Sequence, residues 1–180
     1  AEMLKFCKNI NFEIQRIQNL IIKFLDLASL EFRKKNIPME KLNLRLLLKH
    51  SINAIQNKKN EKNIQIQLTG DEEIFILGNE VLLEDAICNI LINAIEFSGV
   101  GQEIQVTYNK NGDNAKIICM DHGVGIPAYA LDKVFQKFFS LARPDSNKKG
   151  TGLGLSFVKE VIELHKGFIS INNCLTGGVE

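Results

Sequence analysis

No apolar run in this sequence approaches the roughly eighteen residues that a membrane-crossing helix needs, and its start lacks the charged-then-apolar order of a signal peptide. Charge of neither sign dominates. A formal net charge of +1 over 180 residues gives bulk electrostatics no reason to draw the chain to nucleic acid or to an acidic membrane surface. Any phosphate chemistry must therefore be local. Cysteine is sparse: Cys7, Cys88, Cys119 and Cys174 stand far apart, with no Cys-X-X-Cys and no histidine cluster to make a zinc site. They read as small core residues in a reducing cytoplasm. An initiator Met is missing and the last residues are Gly-Gly-Val-Glu, so the chain reads as a piece of something longer. What is present, 45% hydrophobic and 24% charged residues, suits one globular domain with a real core plus one appended element.

Three local patterns carry chemistry. In Lys149-Gly-Thr-Gly-Leu-Gly-Leu155, Gly150, Gly152 and Gly154 allow a tight turn with exposed amides, and Leu153, Leu155, Phe157, Val158, Val161 and Ile162 continue as an amphipathic helix. The first amides of such a helix lack intrahelical partners and its dipole adds about half a positive charge, so the pattern reads either as an anion site for phosphate or as a plain turn. Upstream, Asn79 or Gly78 starts a broadly apolar helix on which Asp85, Asn89 and Asn93 recur every four residues and share one face. That ridge is either solvent-facing polarity or a set of hard oxygen ligands for magnesium. Third, a strand runs into Asp121-His-Gly-Val-Gly-Ile-Pro127, which holds Asp121 at the lip of a cavity. There it accepts a hydrogen bond from an exocyclic amine or caps the next turn. His122 beside it reads as an exposed loop residue.

Around these patterns, Glu2 to Lys34 contains no helix breaker, and Met3, Cys7, Ile10, Ile14, Ile17, Ile21, Phe24 and Ala28 form a heptad seam. Leu20, Leu25, Leu27 and Leu30 widen it, as for a bundle helix with more than one partner; a single helix packed on its own domain is the alternative. Pro38 ends this segment. Lys41 to Leu44 reads as a short strand, Leu46 to Asn57 as a helix and Lys58 to Asn63 as a charged turn. Ile64 to Leu68 and Ile74 to Leu77 read as strands separated by a turn at Gly70-Asp71, and Glu103 to Asn109 pairs with Ala115 to Met120 through Asn111-Gly112-Asp113. A short helical piece ends at Val134 and is followed by Phe135-Gln-Lys-Phe-Phe139. The polar stretch from Ser140 to Gly150 reads as a mobile lid. Gly167 is placed as the helix stop and Phe168 to Asn172 as a last strand.

Taken together, these elements resemble the ATP-binding catalytic domain of sensor histidine kinases in the GHKL ATPase superfamily. Asn89-Ile-Leu-Ile-Asn93-Ala-Ile-Glu-Phe-Ser98 looks like the N box, Asp121-His-Gly-Val-Gly-Ile126 the G1 box, Phe135 to Phe139 the F box and Gly150-Thr-Gly-Leu-Gly-Leu155 the G2 box. Residues 1–36, ending in Phe-Leu-Asp-Leu-Ala-Ser-Leu-Glu31, are similar to the second helix of the dimerisation and phosphoacceptor bundle, with the first helix absent. Residues 37–180 then make the catalytic domain, cut near its last strand. The fold implied is α+β: a two-layer sandwich of mixed sheet with helices on one face, preceded by a long bundle or coiled-coil helix.

The resemblance implies that Asp121 reads the adenine amino group while Gly123, Gly125 and Ile126 shape the base pocket. It implies that Asn93 ligates Mg²⁺ with Asn89 close by, and that Gly150, Thr151, Gly152, Leu153, Gly154 and Leu155 meet the phosphates, with Lys137 and Phe138 of the F box also at the nucleotide. The chain would hold Mg-ATP for γ-phosphoryl transfer to a histidine of the missing bundle helix and onward to a response regulator. It would pair as a homodimer through its first helix, bind no nucleic acid, and lie in the cytoplasm outside the membrane, with anchorage of the parent in the inner membrane left open. Without the acceptor helix it should not autophosphorylate, since His50, His122 and His165 lie outside that context. Two positions depart from the family pattern: Glu96 stands where a basic residue is usual and Ser140 where an arginine often follows the F box, leaving Arg143, Lys148 or Lys149 to supply the charge. The alternatives are a degenerate, non-catalytic dimerisation module and another GHKL ATPase, such as an anti-sigma serine kinase or a topoisomerase-type ATPase.

Overall fold

The computed structural model describes residues 37–70, 73–145, 149–175 and 177–180, together with scattered positions between Phe6 and Ala28. Those scattered positions are helical, and Ile10, Ile14, Ile17, Ile21 and Phe24 are about half exposed, while Leu20 packs against the core. The rest of the expected helix over 2–34 lies outside the described residues. Among the described residues no helix is long and apolar enough to cross a membrane.

After the Pro38 break, strand β1 (Glu40–Asn43) leads into helix α1 (Leu44–Ala54) and a further short helix α2 (Gln56–Glu61). Asn43 caps α1, its Oδ1 accepting the Leu46 N–H at 3.1 Å, and Leu44, Leu47, Leu48 and Ser51 form the buried face at helical spacing. The charged stretch expected as a turn is helical to Glu61. Only Asn63, with φ 51°, takes the left-handed conformation that reverses the chain. Asparagine tolerates that region better than most side chains do.

Strands β2 (Gln65–Gly70) and β3 (Phe75–Gly78) follow in sequence yet join different sheets. Strand β3 pairs antiparallel with β1, Glu40 opposite Gly78 through Asn43 opposite Phe75. Strand β2 runs parallel to β4 (Glu103–Asn111), which pairs antiparallel with β5 (Asn114–Met120) across the Gly112-Asp113 turn. This mixed sheet turns Ile104, Val106 and Tyr108 of its central strand into the core, alternating with Gln105 and Thr107 as a half-buried strand must.

Helix α3 (Glu80–Phe97) crosses between β3 and β4, a short helix α4 (Ala128–Leu131) follows β5, and α3 lies between α1 and the closing helix α5 (Gly154–Leu164), touching β5 beneath. Asn79 caps it, Oδ1 accepting the Leu82 N–H at 3.1 Å, with Glu80 favourably placed in the first turn. Leu83, Ala86, Ile87, Leu91, Ala94 and Ile95 are its buried set. Its other end is capped from outside: Lys62 Nζ donates to the carbonyls of Ile95, Glu96 and Ser98 at 3.0, 3.0 and 2.9 Å. An ammonium on the last carbonyls satisfies acceptors that the helix cannot and complements its dipole. Cys88 and Cys119 pack against this core as expected; burial, chiefly, pushes their thiols up to about 11 and about 12, so both stay protonated.

Two expectations near the C-terminus are corrected. Helix α5 stops because Lys166 (φ 58°), not Gly167, adopts the left-handed conformation, with Gly167 N–H returning to Ile162 O at 2.8 Å and Lys166 N–H to Glu163 O at 3.0 Å. Phe168 to Asn172 forms no strand of either sheet. Its end only meets the chain terminus, Asn172 and Glu180 exchanging hydrogen bonds at 2.9 Å beside a single bridge between Asn173 and Val179.

Helices α3 and α5 are tied by one ring. His165 Nε2 accepts the Asn79 N–H at 2.9 Å while Nδ1 lies 2.7 Å from Val161 O, which fixes the tautomer protonated at Nδ1. Replacing His165→Ala leaves the α3 capping residue without its acceptor. We expect a loss of about 1–3 kcal/mol, read as a lower urea midpoint; an unchanged midpoint contradicts the tie.

Candidate functional site

The polar ridge, the aspartate loop and the glycine helix meet around one cleft, whose wall includes Asn89, Asn93, Glu96, Asp121, Gly125, Ile126, Gly150, Thr151, Gly152, Gly154 and Leu155. Four other expected residues lie off that wall. The Leu153 side chain is fully buried in the core, Lys137 and Phe138 are exposed, and Gly123 is packed against the Phe97 carbonyl at the end of α3.

On α3, Asp85 is exposed and Asn89, Asn93 and Glu96 are half-buried, so the ridge follows the one edge of the helix left open by its packing. Asn89 Nδ2 donates to Asp85 O at 2.8 Å. Its Oδ1 faces the start of α5, where a side chain on Gly154 would come within 3.1 Å of it. The glycine thus lets two helices meet polar edge to open end. Among the described residues no group of three or more His, Cys, Asp and Glu could hold a metal ion. A hard divalent cation placed here would be held by amide oxygens of Asn89 and Asn93 together with the oxygens of its ligand.

Helix α5 begins without a side-chain cap. Intrahelical bonding starts with Phe157 N–H to Leu153 O at 3.0 Å, so the amides of Gly154, Leu155 and Ser156 are the open end of the helix. Gly152 has φ 71°, and a Cβ there would overlap the Phe138 backbone and stand 2.6 Å from Phe139 O. Phe138 itself has φ 68° and donates its N–H to Gly152 O at 2.9 Å. The F segment and the glycine stretch are therefore one interlocked piece, with strain stored at a phenylalanine that rarely adopts this conformation. The Gly150 amide differs from the expectation, donating to Ser140 Oγ at 2.9 Å rather than standing open.

Across the cleft, Asp121 is only 8% exposed. Its N–H donates to Val179 O at 2.9 Å and its Oδ1 accepts from Gly123 N–H at 2.8 Å. Burial, outweighing hydrogen bonds from Gly123 and Val179, holds its carboxyl above the usual range. Sequence reasoning missed what backs this loop. The side-chain amide of Asn173 pairs with Ile126 like a strand, accepting its N–H and donating to its carbonyl, both at 2.7 Å, and Gly178 lies flat on the Asp121 carbonyl, where no Cβ fits. The Gly177-Gly178 pair was the available signal for close backbone approach.

The electrostatics are local. Glu96, 18% exposed, lies 2.8 Å from Arg143 Nε and 3.4 Å from Lys58 Nζ, and Lys62 pairs with Asp145. The described part of the polar stretch after the F box, expected as a mobile lid, is thus pinned at Arg143 and Asp145 to the end of α3, and Ala142 bridges Lys149.

A mixed sheet layered with helices, with an open helix start facing an amide ridge and a buried carboxylate, defines a nucleotide-binding α+β domain. Residues 78–180 match the family described as histidine kinase-, DNA gyrase B-, and HSP90-like ATPase, and the chain belongs to that family. It is 33% identical over 175 residues to the sensor protein CreC of Escherichia coli strain K12, covering 97% of this chain and 36% of that protein. The chain spans less than half the length of the first curated relatives it matches. Among solved structures, the catalytic domain of histidine kinase ThkA superposes with a TM-score of 0.69 at 26% identity, covering 78% of this chain and 92% of that one. ThkA in complex with the response regulator TrrA gives 0.75 at 23% identity, covering 97% and 48%. The α+β expectation holds.

Asp121→Asn keeps an acceptor for Gly123 N–H and removes a charge that burial disfavours. A carboxyl with a raised folded-state pKa favours folding while protonated and loses that contribution as pH rises through its raised value. Urea unfolding at neutral pH should therefore show the variant at least as stable as wild type, with a flatter acid-side pH dependence. A marked loss of stability rejects the reading of Asp121 as a strained carboxylate.

Proposed function

We propose that this chain is the nucleotide-binding portion of a histidine protein kinase, presenting ATP for γ-phosphoryl transfer to a histidine on a neighbouring bundle helix. What carries the reading is one arrangement: the uncapped glycine start of α5 abuts Asn89 on α3, across the cleft from buried Asp121. The Asp121 carboxylate accepts from the adenine amino group, with Gly123, Gly125 and Ile126 forming the loop that receives the ring. The amides of Gly154 and Leu155 face the phosphates, where the helix dipole adds attraction. Asn93, aided by Asn89, contributes oxygen ligands to a Mg²⁺ that neutralises phosphate charge when bound. Catalysis of this kind is largely positioning and charge neutralisation, so a preformed cleft is the chain's main contribution.

Residues 1–36 act as the second helix of a dimerisation bundle and 37–180 as the catalytic domain. The half-exposed seam of Ile10, Ile14, Ile17, Ile21 and Phe24 supports pairing with a second copy. The ThkA complex with TrrA supports a response regulator as the downstream partner. His165 is locked between two backbone groups, which leaves it unavailable as a phosphoacceptor.

Titration calorimetry of ATP with Mg²⁺ tests the site. Wild type should bind in the micromolar to sub-millimolar range, about −8 to −5 kcal/mol, with Asp121→Asn and Asn93→Ala each weakening it at least about tenfold, a cost of about 1.4 kcal/mol. Omitting Mg²⁺ should weaken wild type and leave Asn93→Ala little changed. A folded wild type that binds no ATP makes the chain a non-catalytic dimerisation module instead.

A further inference from the structure

Glu96 follows Asn93 by three residues on α3, so it shares the edge of the helix that faces the phosphates. A carboxylate there should repel a polyphosphate, yet the structure gives it cations of its own. Arg143 Nε lies 2.8 Å from Glu96 Oε2, and Lys58 Nζ lies 3.4 Å from Oε1. The same guanidinium reaches the glycine stretch, its Nη2 only 3.5 Å from where a Cβ on Gly150 would stand. Arg143 thus sits between the ridge and the loop whose amides face the ligand.

This contact is an incomplete one. Arg143 Nε is buried and meets Glu96 as an ion pair without an aligned hydrogen bond, so one donor of a group that favours planar, two-pronged acceptors is poorly satisfied. A phosphate offers that geometry and more charge. The contact also restrains backbone, because Arg143 lies within the short segment between Ser140, which holds the Gly150 amide, and Asp145, which pairs with Lys62 at the capped end of α3.

We propose that Arg143 exchanges partners: Glu96 holds it while the cleft is empty, and the phosphates of the nucleotide take it when they bind, releasing the segment from the end of α3. Glu96 is then an affinity-setting residue that competes with the ligand for one cation. The proposal rests on the reading of the cleft as an ATP site. Binding that must first free Arg143 is weakened by the fraction of molecules in which it is held. A nine-to-one preference for the held state makes the cost about tenfold.

The test is a double-mutant cycle in ATP affinity, with adenosine as a ligand that lacks phosphates. Glu96→Gln should tighten ATP by about tenfold and leave adenosine unchanged. Arg143→Gln should weaken ATP, and in that background Glu96→Gln should change ATP affinity by less than about twofold, whereas in a Lys58→Met background its gain should persist. Independently of nucleotide, Glu96→Gln should speed amide exchange at Gly150. Equal tightening with and without Arg143, or none in either background, overturns the exchange and leaves at most through-space repulsion. A wild type that binds neither ATP nor adenosine overturns the nucleotide reading and this proposal with it.

Discussion

Helix α3 must bury Leu83, Ala86, Ile87, Leu91, Ala94 and Ile95 against α1, α5 and the sheet, and only one edge of it stays open. Rotating the helix by one residue would carry that apolar set out of the core and the asparagines into it. Each large side chain in the set is worth about 1.5–3 kcal/mol when buried, while a hydrogen bond such as the one from Asn89 to Asp85 nets about 1 kcal/mol. Packing therefore decides where the amide ridge points. The amides of the proposed site are aimed by buried leucines and isoleucines, and a close-packed interior gives that aim little slack.

The open start of α5 depends on the same packing from the other side. Phe157, Val158 and Val161 press α5 onto α3, and the glycine at 154 lets its first turn approach Asn89 without a side chain between them. Gly152 then fastens the F segment to that turn. The proposed nucleotide site thus consists mainly of backbone amides and side-chain amides held by apolar contacts, with charge introduced at few points. Where charge does appear, at Glu96, Arg143, Lys58, Lys62 and Asp145, it gathers at the far end of α3 in opposed pairs.

Much of this was legible in the sequence because it rests on periodicity and on residues with unusual backbones. The apolar period of α3, the alternation in β2, the Asn111-Gly112-Asp113 hairpin and the glycines ahead of α5 each determine local structure. Sequence reasoning failed where tertiary context decided. Nothing in Lys58 to Glu61 separates a helical turn from a charged loop, and Phe168 to Asn172 alternates well enough for a strand but joins neither sheet. Lys166 rather than Gly167 takes the left-handed turn because the closing hydrogen bonds set the position, and Ile162 crowds Gly167. Asn173 clasping Ile126 and Lys62 capping α3 are contacts between segments remote in sequence, beyond any local pattern. Strand-like Ile64 to Leu68 was readable; that its neighbour is β4, in parallel, was not.

That parallel pairing has a kinetic side. The β4–β5 hairpin closes between neighbours, whereas β2 meets β4 only after the chain from Gly70 to Glu103 has been looped out and returned, and that loop contains β3 and the whole of α3. Loop closure of this size is entropically unfavourable until the contacts it enables are made, so such pairings form slowly relative to hairpins. The Asn89 and Asn93 ridge lies inside the crossover itself. The cleft is therefore assembled in the same event that closes the sheet, and a chain arrested before that event carries a formed hairpin but no cleft.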